Sequence, residues 1–278
     1  MDGAKRWVDL GFISFQPSEV AKIGLIIFFA NLLTENKERI GEMWKGFFYP
    51  IVWLLPIIGI LVIVQNHLSA TILIVLIISV MMLMAGSRLK YFLTFGIAGA
   101  GTGLGALFLY AKITKKGLFR ITRLITFTDP FKYIQDEGWQ VVQSLYAIGS
   151  GGLFGVGLGN STQKYLYIPE AHNDFVFSII AEELGFLGCA FVIILFALFI
   201  WRGILIAMKA PDMFGSLIAV GITTMVGLQA IINIAVVTSS MPNTGMPLPF
   251  FSYGGTSLLI LMASVGILLN ISRASKSK

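Results

Sequence analysis

The chain has 278 residues, of which 56% are hydrophobic and only 12% charged, with a formal net charge of +6 and a mean hydropathy of +0.84. A soluble domain carries about 25% charged residues, so this chain lacks the polar surface a globule needs in water. The expected class is all-α: a polytopic integral membrane helical bundle. Cys189 is the single cysteine, which excludes an intrachain disulfide. The opening MDGAKRWVDLG has charges with no apolar core behind them, so no cleavable signal is expected.

A spanning helix needs about 20 apolar residues. Apolar runs predict spans near 17–33, 47–64, 68–85, 91–111, 175–201, 215–237 and 256–271. The first opens on QPSEVAK (16–22). Pro17 suits a first helical turn, and Ser18 and Glu19 put acceptors where the helix dipole favours negative charge. Glu19 and Lys22 are one turn apart on one face, which allows a simple intrahelical pair. Lys22 nevertheless lies inside an apolar run, where an unpaired charge costs about 2.5–3.5 kcal/mol. That tilts the reading towards a polar cavity and a functional role. Between the second and third spans stand only Gln65, Asn66 and His67, which predicts a tight helical hairpin.

The connection 112–174 is the exception to short loops. It begins with Lys112, Lys115, Lys116, Arg120 and Arg123 and continues into the glycine-rich SLYAIGSGGLFGVGLGN. Glycine breaks that second half too often for an ordinary span, so short amphipathic or re-entrant helices are expected there. GSGGLFGVGLGN (149–160) loosely matches a dinucleotide fingerprint. The strand and βαβ context that fingerprint requires are missing. Close packing and tight turns are the favoured reading, with backbone N–H groups facing a phosphate as the functional one.

An odd number of spans puts the termini on opposite sides. With the C-terminus cytoplasmic, the inner loops hold Lys37, Arg39, Lys45, Arg88, Lys90, Arg202, Lys209, Arg273, Lys276 and Lys278, and the short outer segments only Lys5 and Arg6. This agrees with the positive-inside bias. The 112–174 loop then lies outside with seven basic residues of its own. Cations where topology does not ask for them suggest membrane lipid head groups or an anionic substrate. No nucleic-acid partner is expected.

IPEAHNDFVF (168–177) carries Glu170, His172 and Asp174 to the rim of an apolar run that itself contains Glu182 and Glu183. Asp174 could simply cap the next helix. Its spacing to Glu182, a little over two turns, instead predicts two carboxylates on one face lining a hydrated groove. Such a carboxylate can act as a general base. His172 with Asp174 could ligate a metal, but no second cluster at ligand spacing supports it. Further on, SSMPNTGMPLPFFSYGGTS (239–257) has too much proline and glycine for a helix and predicts an ordered loop or re-entrant turn. Asn233 and Tyr253 are candidate cavity-lining groups.

GAKRWVDLG, FQPSEVAK, GVGLGNSTQKYLYIPEAHNDFVFSIIAEELGFLG and MPNTGMPLPFFSYGGTS, in this order, resemble the SEDS family (shape, elongation, division and sporulation proteins) over essentially the whole chain. YIPEAH with NSTQK looks more like its FtsW and SpoVE branch than RodA. The resemblance implies a single membrane domain over 1–278, with about seven spans of a ten-span fold and the first three absent. It implies peptidoglycan glycosyltransferase activity on lipid II at the outer face of the bacterial cytoplasmic membrane, alongside a class B penicillin-binding protein. By the same resemblance, Asp174 matches the family's essential aspartate. Glu19 and Lys22 match its glutamate and lysine after QPS, and Arg6 and Trp7 its GxxRW pair. Glu170, His172 and Glu182 are supporting substrate-site candidates. Lys22, Arg6, Arg120 and Arg123 would stabilise the diphosphate leaving group, with a divalent cation such as magnesium or manganese as a further candidate. Where family members read QPDLGT, this chain reads QNHLSAT, with Asn66 and His67 at the proline and aspartate positions. The rival readings are a lipid flippase, which needs a path across the bilayer often built from inverted repeats, and a non-catalytic scaffold. No internal repeat is visible, and the candidate charges cluster near one face, which favours chemistry at the outer surface.

Overall fold

In a computed structural model, the described residues are 8–9, 14–65, 68–96, 127–134, 138–162 and 173–276. They fall into two compact units. One is Met1–Phe95 with Leu198–Leu228 and Gly254–Lys278; the other is Gly96–Ala197 with Gln229–Tyr253.

The first unit opens with two short antiparallel strands, β1 (Val8–Asp9) and β2 (Ser14–Phe15), in register Val8 with Phe15. Helix α1 follows at Pro17–Glu35, with proline in its first turn as expected. It ends at Asn36, whose Nδ2 donates to the Leu32 carbonyl at 2.8 Å. That bond satisfies one of the carbonyls a helix terminus leaves open. Lys22, Ile26, Phe29 and Leu33 are all buried at spacings of four and three, so they form one stripe of the helix. α1 packs against α3 (Leu68–Ala85), whose Ile74, Ile77, Ile78 and Met81 are likewise buried. Val20, Ile27 and Phe28 on α1 are exposed. A helix that is apolar on its exposed side suits a lipid surround.

The second expected span is a helical run with α2 (Tyr49–Gly59) at its centre and π-helical turns at Trp44–Phe48 and Ile60–Val64. Pro56 lies inside α2 and removes a backbone donor; the helix widens in the following turn. Asn66 and His67 lie outside the described residues. The fourth expected span, 91–111, begins in helix α4 at 89–96 and then also leaves the described residues.

In the second unit, α5 (Trp139–Gly151) is a helix of 13 residues inside the long connection. It is attached to the end of α7 (Met213–Val237) by Ser144 Oγ, which donates to the Val237 carbonyl at 2.8 Å. Helix α6 (Val176–Met208) is 33 residues long, beyond the expected 175–201. It contains a break at Gly185, with φ 66 and ψ −163. The part after Gly185 is about 34 Å long at ~1.5 Å per residue and by itself matches the ~30 Å hydrocarbon core. The last helix, α8, covers Gly255–Lys276. Six helices are long and apolar enough to cross a membrane among the described residues.

Candidate active site

Asp174 lies in a turn directly before α6 and is half-buried. Its backbone, and that of Asn173, are held from two directions. Asn233 Nδ2, on α7, donates to the Asp174 carbonyl at 2.7 Å and to the Met246 carbonyl at 2.7 Å. Ser252 Oγ donates to the Asn173 carbonyl and accepts from the Leu248 amide at 2.7 Å. The proline- and glycine-rich loop is therefore ordered, as its composition predicts, and it grips the chain on which the acid stands. Gly245 has φ +62, and a Cβ built on it would lie 3.2 Å from Asp174 Oδ2. The carboxylate thus lies beside loop backbone at a point where glycine allows both that conformation and that approach without displacement. The loop is tied in turn to α5: Asn243 Oδ1 accepts from the Gly245 amide at 3.2 Å, and its Nδ2 donates to Gln140 Oε1 at 2.9 Å.

Glu182 does not line a groove with Asp174. It is 1% exposed, and its carboxylate accepts from Ser161 Oγ, the Thr162 amide at 3.0 Å and Thr162 Oγ1 at 2.9 Å. Glu183 Oε1 accepts from the Ser161 amide at 3.3 Å. Helical spacing placed the two acids on one face, yet Asp174 precedes the helix and a neighbouring segment covers Glu182. With three hydrogen bonds accepted inside the protein, Glu182 fastens this segment to α6.

The anchor belongs to a larger arrangement. Breaking α6 at Gly185 frees backbone groups that a membrane interior would leave unpaired. The glycine-rich segment satisfies them. Val156 and Gly157 amides donate to the Glu182 and Glu183 carbonyls at 2.9 and 3.1 Å, while Phe186 and Leu187 amides donate to Gly152 and Leu153 carbonyls at 2.9 and 3.2 Å. A Cβ on Gly155 would sit 2.1 Å from the Glu183 carbonyl oxygen, so a side chain there would hold the two backbones apart. The glycines serve this close approach, and the amides of Val156 and Gly157 are spent on α6.

Lys22 and Glu19 form the intrahelical pair that their spacing allows. Lys22 Nζ lies 2.8 Å from Glu19 Oε1, with the side chains 2% and 17% exposed. The buried ammonium therefore has a partner one turn away on its own helix. Asn233, taken from sequence as a cavity-lining group, is 1% exposed and spent on backbone carbonyls; Tyr253 is 84% exposed. Arg6, Trp7, Arg120, Arg123, Glu170 and His172 lie outside the described residues. Sequence reasoning missed Ser161, Thr162, Gly245 and Ser252. The first two follow the glycine run and the last two sit in the proline-rich loop, where hydroxyls and glycines are too common to single out. Among the described residues, no three His, Cys, Asp or Glu side chains gather to hold a metal ion.

The apolar helices, the glycine segment bonded to α6 and the acid at a helix entrance define a polytopic membrane protein with a polar site at the end of a span. Residues 1–277 match the model of the family named for FtsW, RodA and SpoVE, described as "Cell cycle protein", and the chain belongs to that family. It is 42% identical over 275 residues to stage V sporulation protein E of Bacillus subtilis, covering 99% of this chain and 73% of that protein. It is 40% identical over 272 residues to a probable peptidoglycan glycosyltransferase FtsW of Geobacter sp. (strain M18), covering 97% and 71%. Among solved structures, a chain from a peptidoglycan synthase complex matches with a TM-score of 0.80 and 27% identity, covering 100% of this chain and 76% of that one. The rod shape determining protein RodA of Thermus thermophilus matches with a TM-score of 0.65 and 29% identity, covering 98% and 70%.

Proposed function

We propose that this protein is a peptidoglycan glycosyltransferase that polymerises lipid II at the outer face of the cytoplasmic membrane, with Asp174 as general base. The observation that carries the reading is the setting of Asp174: a half-buried carboxylate at a helix entrance, its backbone fastened by Asn233 and its oxygen against Gly245. Family membership and relatives named as probable peptidoglycan glycosyltransferases supply the reaction class.

In this reaction the 4-hydroxyl oxygen of the acceptor's terminal N-acetylglucosamine attacks the anomeric carbon of the donor. Its proton passes to the Asp174 carboxylate, and the bond from the anomeric carbon to the diphosphate oxygen breaks. The donor's sugar is thereby joined to the acceptor oxygen, and undecaprenyl diphosphate leaves with the electron pair of the broken bond. Direct displacement inverts the anomeric centre, so no carboxylate nucleophile is needed. Charge developing on the diphosphate is assigned to Lys22, Arg6, Arg120 and Arg123. The partner we assign is a class B penicillin-binding protein, consistent with the likeness to a chain of a peptidoglycan synthase complex. The positive-inside bias supports a cytoplasmic C-terminus.

The test is Asp174→Asn in proteoliposomes fed labelled lipid II. Loss of polymer with the fold intact is expected; polymerisation at the unmodified rate would overturn the assignment. Transbilayer movement of lipid II without polymer would indicate a flippase, and partner binding with neither activity a scaffold.

A further inference from the structure

We infer that Asn233 is a positioning residue for the Asp174 carboxylate, acting through the two backbone segments that meet it, with Gly245 as its contact point. The inference rests on the reading of Asp174 as general base. Asn233 lies in α7 and is 1% exposed, where a primary amide is costly unless its hydrogen bonds are made. Both donor directions are used, and each goes to a different segment: the carbonyl of Asp174 itself and the carbonyl of Met246. Its Oδ1 accepts no hydrogen bond among the described residues. The side chain is therefore employed as a donor fork.

What the fork joins gives it a role beyond packing. Met246 directly follows Gly245, the residue whose missing Cβ leaves room for Asp174 Oδ2 at 3.2 Å. One amide thus sets the carbonyl end of Asp174 and the loop backbone that abuts its carboxylate. The far side of that turn is held separately, by Asn243 to Gln140. If Asn233 releases the two carbonyls, Ser252 still ties the Asp174 segment to the loop, but the carboxylate can shift against its wall. A general base displaced by about 1 Å loses up to about 100-fold in rate.

The experiment uses the protein with its partner in proteoliposomes and follows the rate of lipid II polymerisation against lipid II concentration. Asn233→Leu fills similar volume without donors, and Gly245→Ala places a methyl group against the carboxylate. Each is expected to lower kcat about tenfold or more with KM changed less than about twofold. The double variant is expected to be no slower than the slower single, because both act on one carboxylate. Losses that multiply in the double variant, or a kcat for either single equal to that of the unmodified protein, overturn the inference. Should Asn233→Leu fail to fold, Gly245→Ala alone decides, since its loop position leaves α7 intact. Full activity in Asp174→Asn overturns the base itself. An inactive Asp174→Asn beside a fully active Asn233→Leu overturns only the positioning role.

Discussion

Thr162 donates twice to Glu182, through its amide at 3.0 Å and its hydroxyl at 2.9 Å. This joins the end of the glycine-rich segment to a carboxylate buried near the break in α6. The pairing turns an acid that the sequence places in a catalytic groove into a fastening. Its energetic weight follows from the donors that would be stranded without it.

Glu182→Ala leaves the Ser161 hydroxyl and both Thr162 donors without their acceptor. Thr162 is exposed and its donors can turn to solvent, so the loss should be about 2–3 kcal/mol, mostly from the buried Ser161 hydroxyl. Glu182→Gln keeps one oxygen towards Thr162, and Ser161 can reverse its hydroxyl to accept from the new amide. Its cost should be about 1 kcal/mol. Thermal unfolding in detergent orders the two variants, and equal midpoints would contradict the fastening role.

Gly155 and Gly149 should respond oppositely to alanine. Gly155 has φ +78, with the Glu183 carbonyl oxygen 2.1 Å from a Cβ position. Gly155→Ala therefore combines a left-handed conformation costing about 1–2 kcal/mol with separation of two hydrogen-bonded backbones. Gly149 lies in α5 with nothing within 4 Å of its Cβ position. Gly149→Ala should stabilise by about 0.5–1 kcal/mol through helix propensity. Unfolding midpoints moving down and up respectively would bear this out.

The Glu19–Lys22 pair should be asymmetric. Removing the acceptor with Glu19→Ala strands an ammonium that is 2% exposed, a change on the order of 3–5 kcal/mol. Lys22→Met strands the carboxylate that is 17% exposed and should cost only about 1–2 kcal/mol. The double variant Glu19→Gln with Lys22→Met should recover most of the stability. If it also recovers lipid II polymerisation, the proposed role of Lys22 in charge stabilisation is wrong.

Ser252→Ala removes the donor to the Asn173 carbonyl and the acceptor of the Leu248 amide. The cost should be about 1–3 kcal/mol. Because Asn173 adjoins Asp174, the polymerisation rate should fall by more than the loss of folded protein explains. Activity normalised to folded protein measures the difference, and an unchanged normalised rate would separate Ser252 from the site.

The spans of this protein are legible because spanning is a local property. An apolar run of sufficient length closes its own backbone hydrogen bonds and needs no distant partner. The expected runs at 17–33, 68–85 and 215–237 correspond closely to α1, α3 and α7, and the one-turn spacing of Glu19 and Lys22 becomes a contact. Ordered motifs also carried the family.

Tertiary structure alone decided what the polar groups do. Ser161 reaches Glu182 across 21 positions of sequence, and Asn233 reaches Asp174 across 59, distances over which spacing carries no angular information. The break in α6 escaped for the same reason. A helix can break in mid-run only where another backbone takes up its freed amides and carbonyls, and that backbone comes from Gly152–Gly157. The sequence alone established how the chain meets the membrane. Which acid is buried as a fastening and which is left at a helix entrance was decided by the folded chain, because it supplies the donors.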